Sequence, residues 1–244
     1  IKAHPVKGRP MQPGSVDAAE VARFNALAAD WWNPDGPMRP LHRMNPARIS
    51  WIDTRLRRRF GGRSRVLDVG CGAGLAAEAL ARLGHEVVGL DAAGDAVAAA
   101  RAHAEGAGLA LHYREGAAED LLAEDARFDA ITALEVIEHV TDPAAFLATL
   151  AGLLVPGGLL FVSTLNRTRR SWLVAILGAE YVMRLLPAGT HDWARFVTPA
   201  ELDAGLRGAG LRLADITGLV PDPLRGGWRP TRSLGVNYLA MAHA

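Results

Sequence analysis

The fold of this chain is decided by the stretch Val66-Leu-Asp-Val-Gly-Cys-Gly-Ala-Gly74. Its first four residues are an apolar run with a single acid, Asp68, which predicts a buried strand. The glycines at positions 70, 72 and 74 predict a tight turn, because glycine adopts backbone conformations that a Cβ atom disfavours. From Leu75 to Leu83 the apolar residues recur at helical spacing. A strand, a glycine turn and a helix in this order predict a nucleotide-binding corner.

The spacing of these glycines indicates the kind of ligand. Gly70, Gly72 and Gly74 read G-x-G-x-G, whereas dinucleotide enzymes carry G-x-G-x-x-G, so a nicotinamide dehydrogenase is disfavoured. The acid Asp68 precedes the first glycine, which suits a cationic, amine-bearing ligand better than a diphosphate. S-adenosylmethionine is such a ligand. Two compatible roles are open for Asp68: orienting the amine of the ligand and accepting N–H groups of the loop.

A second acid follows at the spacing of a ribose-binding residue. The run Val87-Val-Gly-Leu-Asp91 predicts the next strand, and Asp91 lies about twenty residues after Gly70. A carboxylate there binds the ribose hydroxyls of a nucleotide; the alternative role is a helix N-cap. Cys71 is the only cysteine, which excludes an internal disulfide and a thiolate zinc cluster. We expect it to pack as a small buried residue, since no activating base is identified for it.

Composition bounds the class of protein. Half of the 244 residues are apolar, which predicts one compact domain with a substantial core. Lys and Arg number 27 against 26 Asp and Glu, so no bulk charge indicates a nucleic-acid partner. Residues 1–15 are polar and proline-rich, which predicts a disordered segment and no signal peptide. No apolar run approaches the roughly 20 residues of a membrane span. We therefore expect a cytoplasmic protein, soluble or peripheral to a membrane.

The remaining pattern predicts an α/β, Rossmann-like domain over residues 16–244. Residues 16–64 form a helical N-terminal cap, with one helix from Val16 to Trp32 and another from Pro46 to Phe60. From Arg65 onward strands and helices alternate, which predicts a mostly parallel sheet with helices on both faces. Seven strands are predicted at residues 65–69, 86–90, 109–114, 128–134, 158–164, 211–217 and 235–242. Further helices are predicted at residues 74–83, 94–107, 143–154, 171–186 and 199–209.

Several sequence blocks occur together in one known family. They are Phe24 with Trp31-Trp32, Pro40-Leu-His-Arg-Met-Asn-Pro-Ala-Arg48, Leu134-Glu-Val-Ile-Glu-His-Val140, Ser163-Thr-Leu-Asn-Arg167, Gly178-Ala-Glu-Tyr181, Gly189-Thr-His-Asp192 and Asn237-Tyr238. In this order they resemble the ubiquinone-biosynthesis O-methyltransferases, over nearly everything from Val16 to the C-terminus. The resemblance implies a class I methyltransferase fold whose last strand is antiparallel. It also implies that the chain methylates the catechol hydroxyls of 2-polyprenyl-6-hydroxyphenol and 3-demethylubiquinol with S-adenosylmethionine.

The resemblance also assigns cofactor contacts. They fall on Arg48, Gly70, Asp91 and Leu134, to which the glycine loop adds Gly72 and Asp68. The guanidinium of Arg48 would hold the carboxylate of the cofactor. Leu134 would line the adenosine site from the end of the fourth strand. Glu119 could approach the adenine amino group, and capping of a helix is an equal alternative for it.

The acceptor hydroxyl needs activation, because a phenol with a pKa of roughly 10 is a poor nucleophile. Glu135, Glu138 and His139 would share one face if their segment is helical, since they are spaced i, i+3, i+4. Two carboxylates and an imidazole could hold Mg²⁺, or Mn²⁺ or Zn²⁺, which would polarise both catechol oxygens. Family members are described with such a metal requirement. Two alternatives are open: the Glu-His pair shapes the pocket, or His139 alone is the general base.

A polyprenyl tail partitions into lipid, which raises the question of membrane contact. Arg167, Arg169 and Arg170 precede the apolar runs Trp172-Leu-Val-Ala-Ile-Leu177 and Tyr181-Val-Met-Arg-Leu-Leu186. Basic and aromatic residues that flank a short apolar helix are typical of interfacial helices. We expect residues 165–195 to contact the inner membrane surface, or to form a lid over the site, or both.

Other interpretations stay open at this stage. Further proteins of ubiquinone biosynthesis are possible partners of the chain. The chain could instead be a related methyltransferase that acts on another small molecule. It could also be a non-catalytic, cofactor-binding subunit of a biosynthetic complex.

Overall fold

The computed structural model describes residues 15–172, 193–224 and 226–244. A helical cap comes first, with α1 (Ala18–Leu27), a 3-10 turn over Ala28–Asp30, and α2 (Arg39–Phe60). The side chain of Asp17 caps α1 by accepting the N–H of Ala19 at 3.0 Å. The single helix expected from Val16 to Trp32 is therefore shorter, and it ends in the 3-10 turn.

Helix α2 also departs from the sequence-based prediction. It begins at Arg39 and runs through Pro46, where the sequence predicted its start. Pro46 lacks an N–H and forfeits one helical hydrogen bond, but the helix continues because its inner side is anchored in the core. Ile52 and Leu56 are fully buried there, and the amide of Asn45 donates to the carbonyl of Leu75 at 2.8 Å.

Strands and helices alternate after the cap, as the sequence predicted. The strands are β1 (Arg65–Val69), β2 (Glu86–Asp91), β3 (His112–Glu115), β4 (Phe128–Leu134), β5 (Leu154–Leu165), β6 (Arg212–Asp222), β7 (Gly227–Thr231) and β8 (Asn237–His243). The helices are α3 (Leu75–Arg82), α4 (Gly94–Gly106), α5 (Ala118–Ala123), α6 (Pro143–Gly152), the single turn α7 (Arg169–Ser171) and α8 (Pro199–Gly208).

One sheet contains all the strands of the described residues, in the order β3-β2-β1-β4-β5-β8-β6-β7. Strands β1 to β5 are parallel, and β8 runs antiparallel between β5 and β6. The predicted α/β fold and the antiparallel last strand are confirmed. The sheet has eight strands where seven were predicted, because β7 forms an edge hairpin with an extension of β6. Proline within a run of residues argues against a strand, so the sequence pattern did not predict β7. The structure accommodates Pro230 because proline is tolerated at a sheet edge.

Both faces of the sheet are buried, so a ligand site is expected at an edge of the sheet and not on its faces. In β1, Val66 packs with the cap helix and α3, whereas Leu67 packs with α6 and α8 on the other face. Near-continuous apolar runs are typical of strands buried in this way. The strand order reverses between β1 and β4, and ligands of such sheets bind beyond the carboxyl ends of the strands at this reversal.

Part of the predicted interfacial segment lies outside the described residues. Only Ser171 and Trp172 of the predicted helix 171–186 belong to them. Within the described ranges, no helix is long and apolar enough to cross a membrane.

Candidate active site

The glycine loop lies at the predicted strand-to-helix corner. The N–H groups of Gly70 and Cys71 both donate to the carbonyl of Leu90, at 2.8 and 3.1 Å. Gly70, Gly72 and Gly74 have φ angles of 68°, 52° and 91°, which are left-handed values that favour glycine. Protein neighbours also favour glycine, because a Cβ at Gly70 would collide with Val136 and one at Gly72 with the ring of Trp31.

Asp91 ends β2 directly beside this loop. One carboxylate oxygen accepts the N–H of Gly72 at 2.7 Å, and the other accepts the N–H of Ala93 at 2.8 Å. Asp91 therefore connects the loop to the start of α4, although it is not the N-cap residue, a position that Ala93 occupies. Burial raises the pKa of the carboxyl group. Each carboxylate oxygen can accept a second hydrogen bond, so both remain able to receive a ligand hydroxyl.

Asp68 and Arg48 are both buried, and their charges influence each other. Asp68 is 2% exposed, and its Oδ1 accepts the hydroxyl of Thr132 at 2.6 Å. Burial raises the pKa of Asp68 to about 6, while the charge of Arg48 opposes this shift. Arg48 is 3% exposed, and desolvation lowers its pKa. Its Nη1 lies 3.7 Å from Oε1 of Glu135. A buried cation and a buried anion whose charges influence each other suit a zwitterionic group.

Unpartnered polar atoms outline the pocket. Seven buried side-chain N or O atoms have no hydrogen-bond partner within the described ranges. All but the hydroxyl of Ser64 belong to the carboxyl edge of the sheet or to segments packed on it. These are Nε1 of Trp31, Nε of Arg48, Oδ2 of Asp68, Oε2 of Glu119, Oε2 of Glu138 and Oγ1 of Thr164. An unsatisfied buried polar atom costs about 1–3 kcal/mol, so a cluster of them indicates a site for a polar ligand.

The segment after β4 is a turn and not a helix, so the predicted shared face of Glu135, Glu138 and His139 is wrong. Glu135 has a left-handed φ of 58°, and its Oε1 accepts the hydroxyl of Ser163 at 2.7 Å. His139 points to the cap, where its Nδ1 lies 3.1 Å from Oε2 of Glu20. No three His, Cys, Asp or Glu side chains of the described part of the chain are placed to hold a metal ion.

Glu138 takes no part in the Glu135–Ser163 and His139–Glu20 contacts, and it is buried, with 5% of its surface exposed. Burial, and then the charge of Glu135, raise the pKa of its carboxyl well above the usual range. The shift favours the protonated form of the carboxyl group. A protonated carboxyl donates a hydrogen bond but cannot act as a base.

Three predicted residues occupy simpler positions. Leu134 is the last residue of β4, is partly buried, and packs against an apolar cluster. Glu119 lies in the first turn of α5, and its Oε1 accepts the N–H of Ser15 at 3.2 Å. Ser15 was expected to belong to a disordered segment, yet it is buried, and its carbonyl accepts the N–H of Thr141. Burial, and then the charges of nearby carboxylates, raise the pKa of Cys71, so it is an inert buried thiol, as expected.

The structure adds residues that sequence reasoning missed. Glu20, Thr132, Ser163 and Thr164 have side chains that contact or adjoin the predicted site residues. They lie far along the chain from their partners, so no local pattern signals them. The adjacent tryptophans at positions 31 and 32 are conspicuous in the sequence, but their pattern predicts only the family resemblance and no role in the site.

Known proteins with similar sequences are methyltransferases. A family model described as a methyltransferase domain matches residues 67–162. The ubiquinone biosynthesis O-methyltransferase of Azorhizobium caulinodans is 48% identical over 233 residues, 92% of this chain and 92% of that protein. The enzyme of the same name from Methylobacterium nodulans is 48% identical over 93% of this chain and 95% of that protein.

Solved structures agree with the fold at lower identity. Magnesium protoporphyrin IX methyltransferase from Synechocystis PCC 6803, solved with bound SAH, superposes with a TM-score of 0.64 and 16% identity, over 92% of this chain and 97% of that chain. A possible histamine N-methyltransferase from Thermotoga maritima gives a TM-score of 0.60 and 17% identity, over 90% and 97% of the two chains. Likeness at this identity establishes the architecture, which is that of S-adenosylmethionine-dependent methyltransferases.

Proposed function

Since the chain belongs to the ubiquinone biosynthesis O-methyltransferase family, we propose that it methylates a catechol hydroxyl of polyprenyl intermediates with S-adenosylmethionine. The proposed acceptors are 2-polyprenyl-6-hydroxyphenol and 3-demethylubiquinol. One observation carries the proposal: Arg48 and Asp68 are both buried, and each has an unpartnered polar atom. The methionine portion of the co-substrate is a zwitterion that would satisfy both.

Each cofactor contact is proposed from its position. Arg48 would donate to the methionine carboxylate, and Asp68 would accept from the ammonium group. Asp91 would accept from the ribose hydroxyls, because it lies at the loop and keeps acceptor capacity. Gly70 and Gly72 would form the floor of the site. At the adenosine end, Leu134 would line the pocket, and Oε2 of Glu119 would accept from the adenine amino group.

The transfer itself is an in-line displacement. S-adenosylmethionine supplies a methyl group on a sulfonium; the bond from the catechol oxygen to this carbon forms as the carbon–sulfur bond breaks. His139 would accept the phenol proton as general base, and the carboxylate of Glu20 would stabilise the resulting imidazolium. Glu135 lies 3.7 Å from Arg48 and would position the pocket wall with Ser163. Glu138, whose raised pKa favours the protonated form, would donate a hydrogen bond.

The divalent cation that the family resemblance implies does not fit the described arrangement. His139 faces Glu20, and Glu135 is engaged by Ser163, so the two side chains do not converge with Glu138 on one point. No step of the proposed reaction is therefore assigned to Mg²⁺, Mn²⁺ or Zn²⁺.

We also propose peripheral association with the cytoplasmic face of the inner membrane. Arg169, Arg170 and Trp172 are exposed at the start of the predicted interfacial segment, and Trp172 is 44% exposed. Arg167 differs from its neighbours, because it pairs with Glu201 and donates to the carbonyl of Ala194. Two of the three predicted arginines, Arg169 and Arg170, are thus exposed and would face the membrane surface.

A methyl-transfer assay tests the proposed function. Labelled S-adenosylmethionine is supplied with a prenylated catechol, the same catechol without its tail, and its mono-methylated product. We expect label transfer to the tailed catechol and little to the tailless one. Transfer to both at equal rates would indicate a methyltransferase for another small molecule. Binding of S-adenosylhomocysteine without transfer to any catechol would indicate a non-catalytic subunit.

A further inference from the structure

Trp31 lies directly over the glycine loop. It belongs to the cap, between the 3-10 turn and α2, and is 6% exposed. Gly72 has no room for a side chain because of this ring. A Cβ built there would lie closest to Cζ2 and Cη2 of Trp31, with Cε2, the ring carbon that is bonded to Nε1, at 2.9 Å. The six-membered ring of the indole therefore covers the loop, and the N–H group is bonded to one of the atoms in this contact.

The indole N–H of Trp31 is buried and has no acceptor within the described ranges. The neighbouring tryptophan shows the contrast. Nε1 of Trp32 donates to the carbonyl of Ala73 at 2.9 Å, and its ring stacks on His103 at 3.4 Å. The backbone of Trp31 is itself fixed, since its carbonyl lies 2.8 Å from Nε2 of His42. A buried indole N–H without a protein acceptor can donate to an acceptor atom of a ligand.

We propose that Trp31 donates its indole N–H to an acceptor oxygen of bound S-adenosylmethionine, an inference that rests on the proposed function. The N–H of Gly72 already donates to Asp91, so it does not compete for this oxygen. Two oxygens of the co-substrate have the required chemistry: the methionine carboxylate and a ribose hydroxyl. The cap thereby contributes a polar contact to the cofactor site as well as apolar cover.

The substitution Trp31→Phe tests this contact, because it removes the N–H and keeps an aromatic ring. We expect binding of S-adenosylhomocysteine to weaken about threefold to tenfold, as for one hydrogen bond. Trp51→Phe is the matched control. Trp51 is also a buried indole, at 7% exposure, but it packs on Phe161 and Arg55 away from the loop. Its replacement should leave the affinity within twofold of wild type, with thermal melting reporting the fold of each variant.

Indole N–H resonances give a second, independent measurement on the wild-type protein. The chain has six tryptophans, and the signal missing from Trp31→Phe identifies Trp31. Addition of S-adenosylhomocysteine should move this signal downfield and slow its exchange with water. Repeating the titration with 5′-methylthioadenosine, which lacks the methionine carboxylate, assigns the acceptor. A retained shift indicates the ribose, and a lost shift indicates the carboxylate.

Two outcomes would overturn the inference while leaving the proposed function intact. In the first, Trp31→Phe binds S-adenosylhomocysteine within twofold of a wild type that itself binds. In the second, the Trp31 signal of the wild type does not move on binding. A wild-type protein that fails to bind S-adenosylhomocysteine would instead reject the proposed cofactor site together with this contact.

Discussion

Oε2 of Glu20 lies 3.1 Å from Nδ1 of His139, which joins the first helix of the cap to the turn after β4. Phe24, one helical turn beyond Glu20, packs edge-on against the imidazole at 5.4 Å between ring centres. Arg23 and Arg195 also approach the Glu20 carboxylate, at 3.5 and 3.8 Å. The cap therefore orients the imidazole, and a carboxylate placed at Nδ1 stabilises a protonated histidine.

Replacing His139 by Ala should lower kcat for catechol methylation by about 100-fold to 10,000-fold, the usual contribution of a positioned general base. Binding of S-adenosylhomocysteine should stay within twofold, because the proposed cofactor contacts do not include the imidazole. Turnover and calorimetric affinity measured on the same preparation check both parts. A His139→Ala enzyme with more than a tenth of wild-type kcat would remove the residue from the mechanism.

Glu20→Gln should lower kcat by about tenfold, because the neutral amide no longer stabilises the imidazolium. The effect should disappear when His139 is already Ala, since Glu20 acts through that ring. A double-mutant cycle measures this coupling directly. If Glu20→Gln is equally harmful with and without His139, the carboxylate supports the cap only.

Asp91→Ala should weaken binding of S-adenosylhomocysteine at least tenfold. The change removes the proposed ribose acceptor and also the carboxylate that holds the N–H of Gly72. Asp95→Ala is the control, because Asp95 is an exposed acid in the first turn of α4. Isothermal titration of both variants separates loss of the ribose acceptor from a general effect of lost negative charge. Unchanged affinity in Asp91→Ala would refute the ribose assignment.

Local patterns predicted the parts of this site that lie close together in sequence. The glycine loop, Asp68 and Asp91 all follow from strand ends and short spacings, and the structure places them at one corner. Patterns of this kind work because parallel strands end at a common edge. The same logic predicted that the sheet is mostly parallel, as β1 to β5 are.

Long-range relationships could not be predicted in this way. Glu20 and His139 meet only because the cap folds back over the sheet, and nothing in either segment signals the other. The helical condition for a shared face of Glu135, Glu138 and His139 is not met, because Glu135, a non-glycine residue, takes a left-handed φ of 58°. Such a conformation is rare for this residue type and is set by its tertiary partners, Ser163 and Arg48.

Affinity for S-adenosylhomocysteine should fall on acidification because of Asp68. Its pKa is raised by burial to about 6, and only the ionised carboxylate attracts the ammonium group of the ligand. Affinity should therefore be near its plateau at pH 7 and fall about tenfold by pH 5, as the group takes up a proton. Asp68→Asn should bind more weakly at pH 7 and lose this dependence. A wild-type affinity that stays constant between pH 7 and pH 5 would contradict the assignment.

Exhaustive chelation should leave cofactor binding unchanged. The proposed contacts at Arg48, Asp68 and Asp91 use no metal ion, and the Glu135–His139 turn does not form a ligand set in the described structure. Calorimetry with S-adenosylhomocysteine after EDTA treatment checks this, and a weakened affinity would show that the cofactor site depends on a metal. Methylation is measured in parallel to test the turn from Glu135 to His139. If chelation abolishes methylation and added Mg²⁺ restores it, His139 must leave Glu20 to bind the ion.

Replacing both Arg169 and Arg170 by Glu should weaken sedimentation with anionic liposomes by tenfold or more. Each exposed arginine near such a surface contributes about 1 kcal/mol, and charge reversal replaces attraction with repulsion. Arg167→Gln should have a smaller effect, because Arg167 already pairs with Glu201. Binding of wild type should weaken with added salt, since the electrostatic attraction is screened.

The double variant Arg207→Glu and Arg212→Glu controls for net charge, because it changes two exposed arginines on α8 and β6 by the same amount. It should bind liposomes more tightly than the Arg169 and Arg170 variant, and all variants should keep the affinity of wild type for S-adenosylhomocysteine. Equal losses in the two double variants would mean that only overall charge matters. Failure of the wild type to sediment at low salt would leave residues 165–195 as a lid without membrane contact.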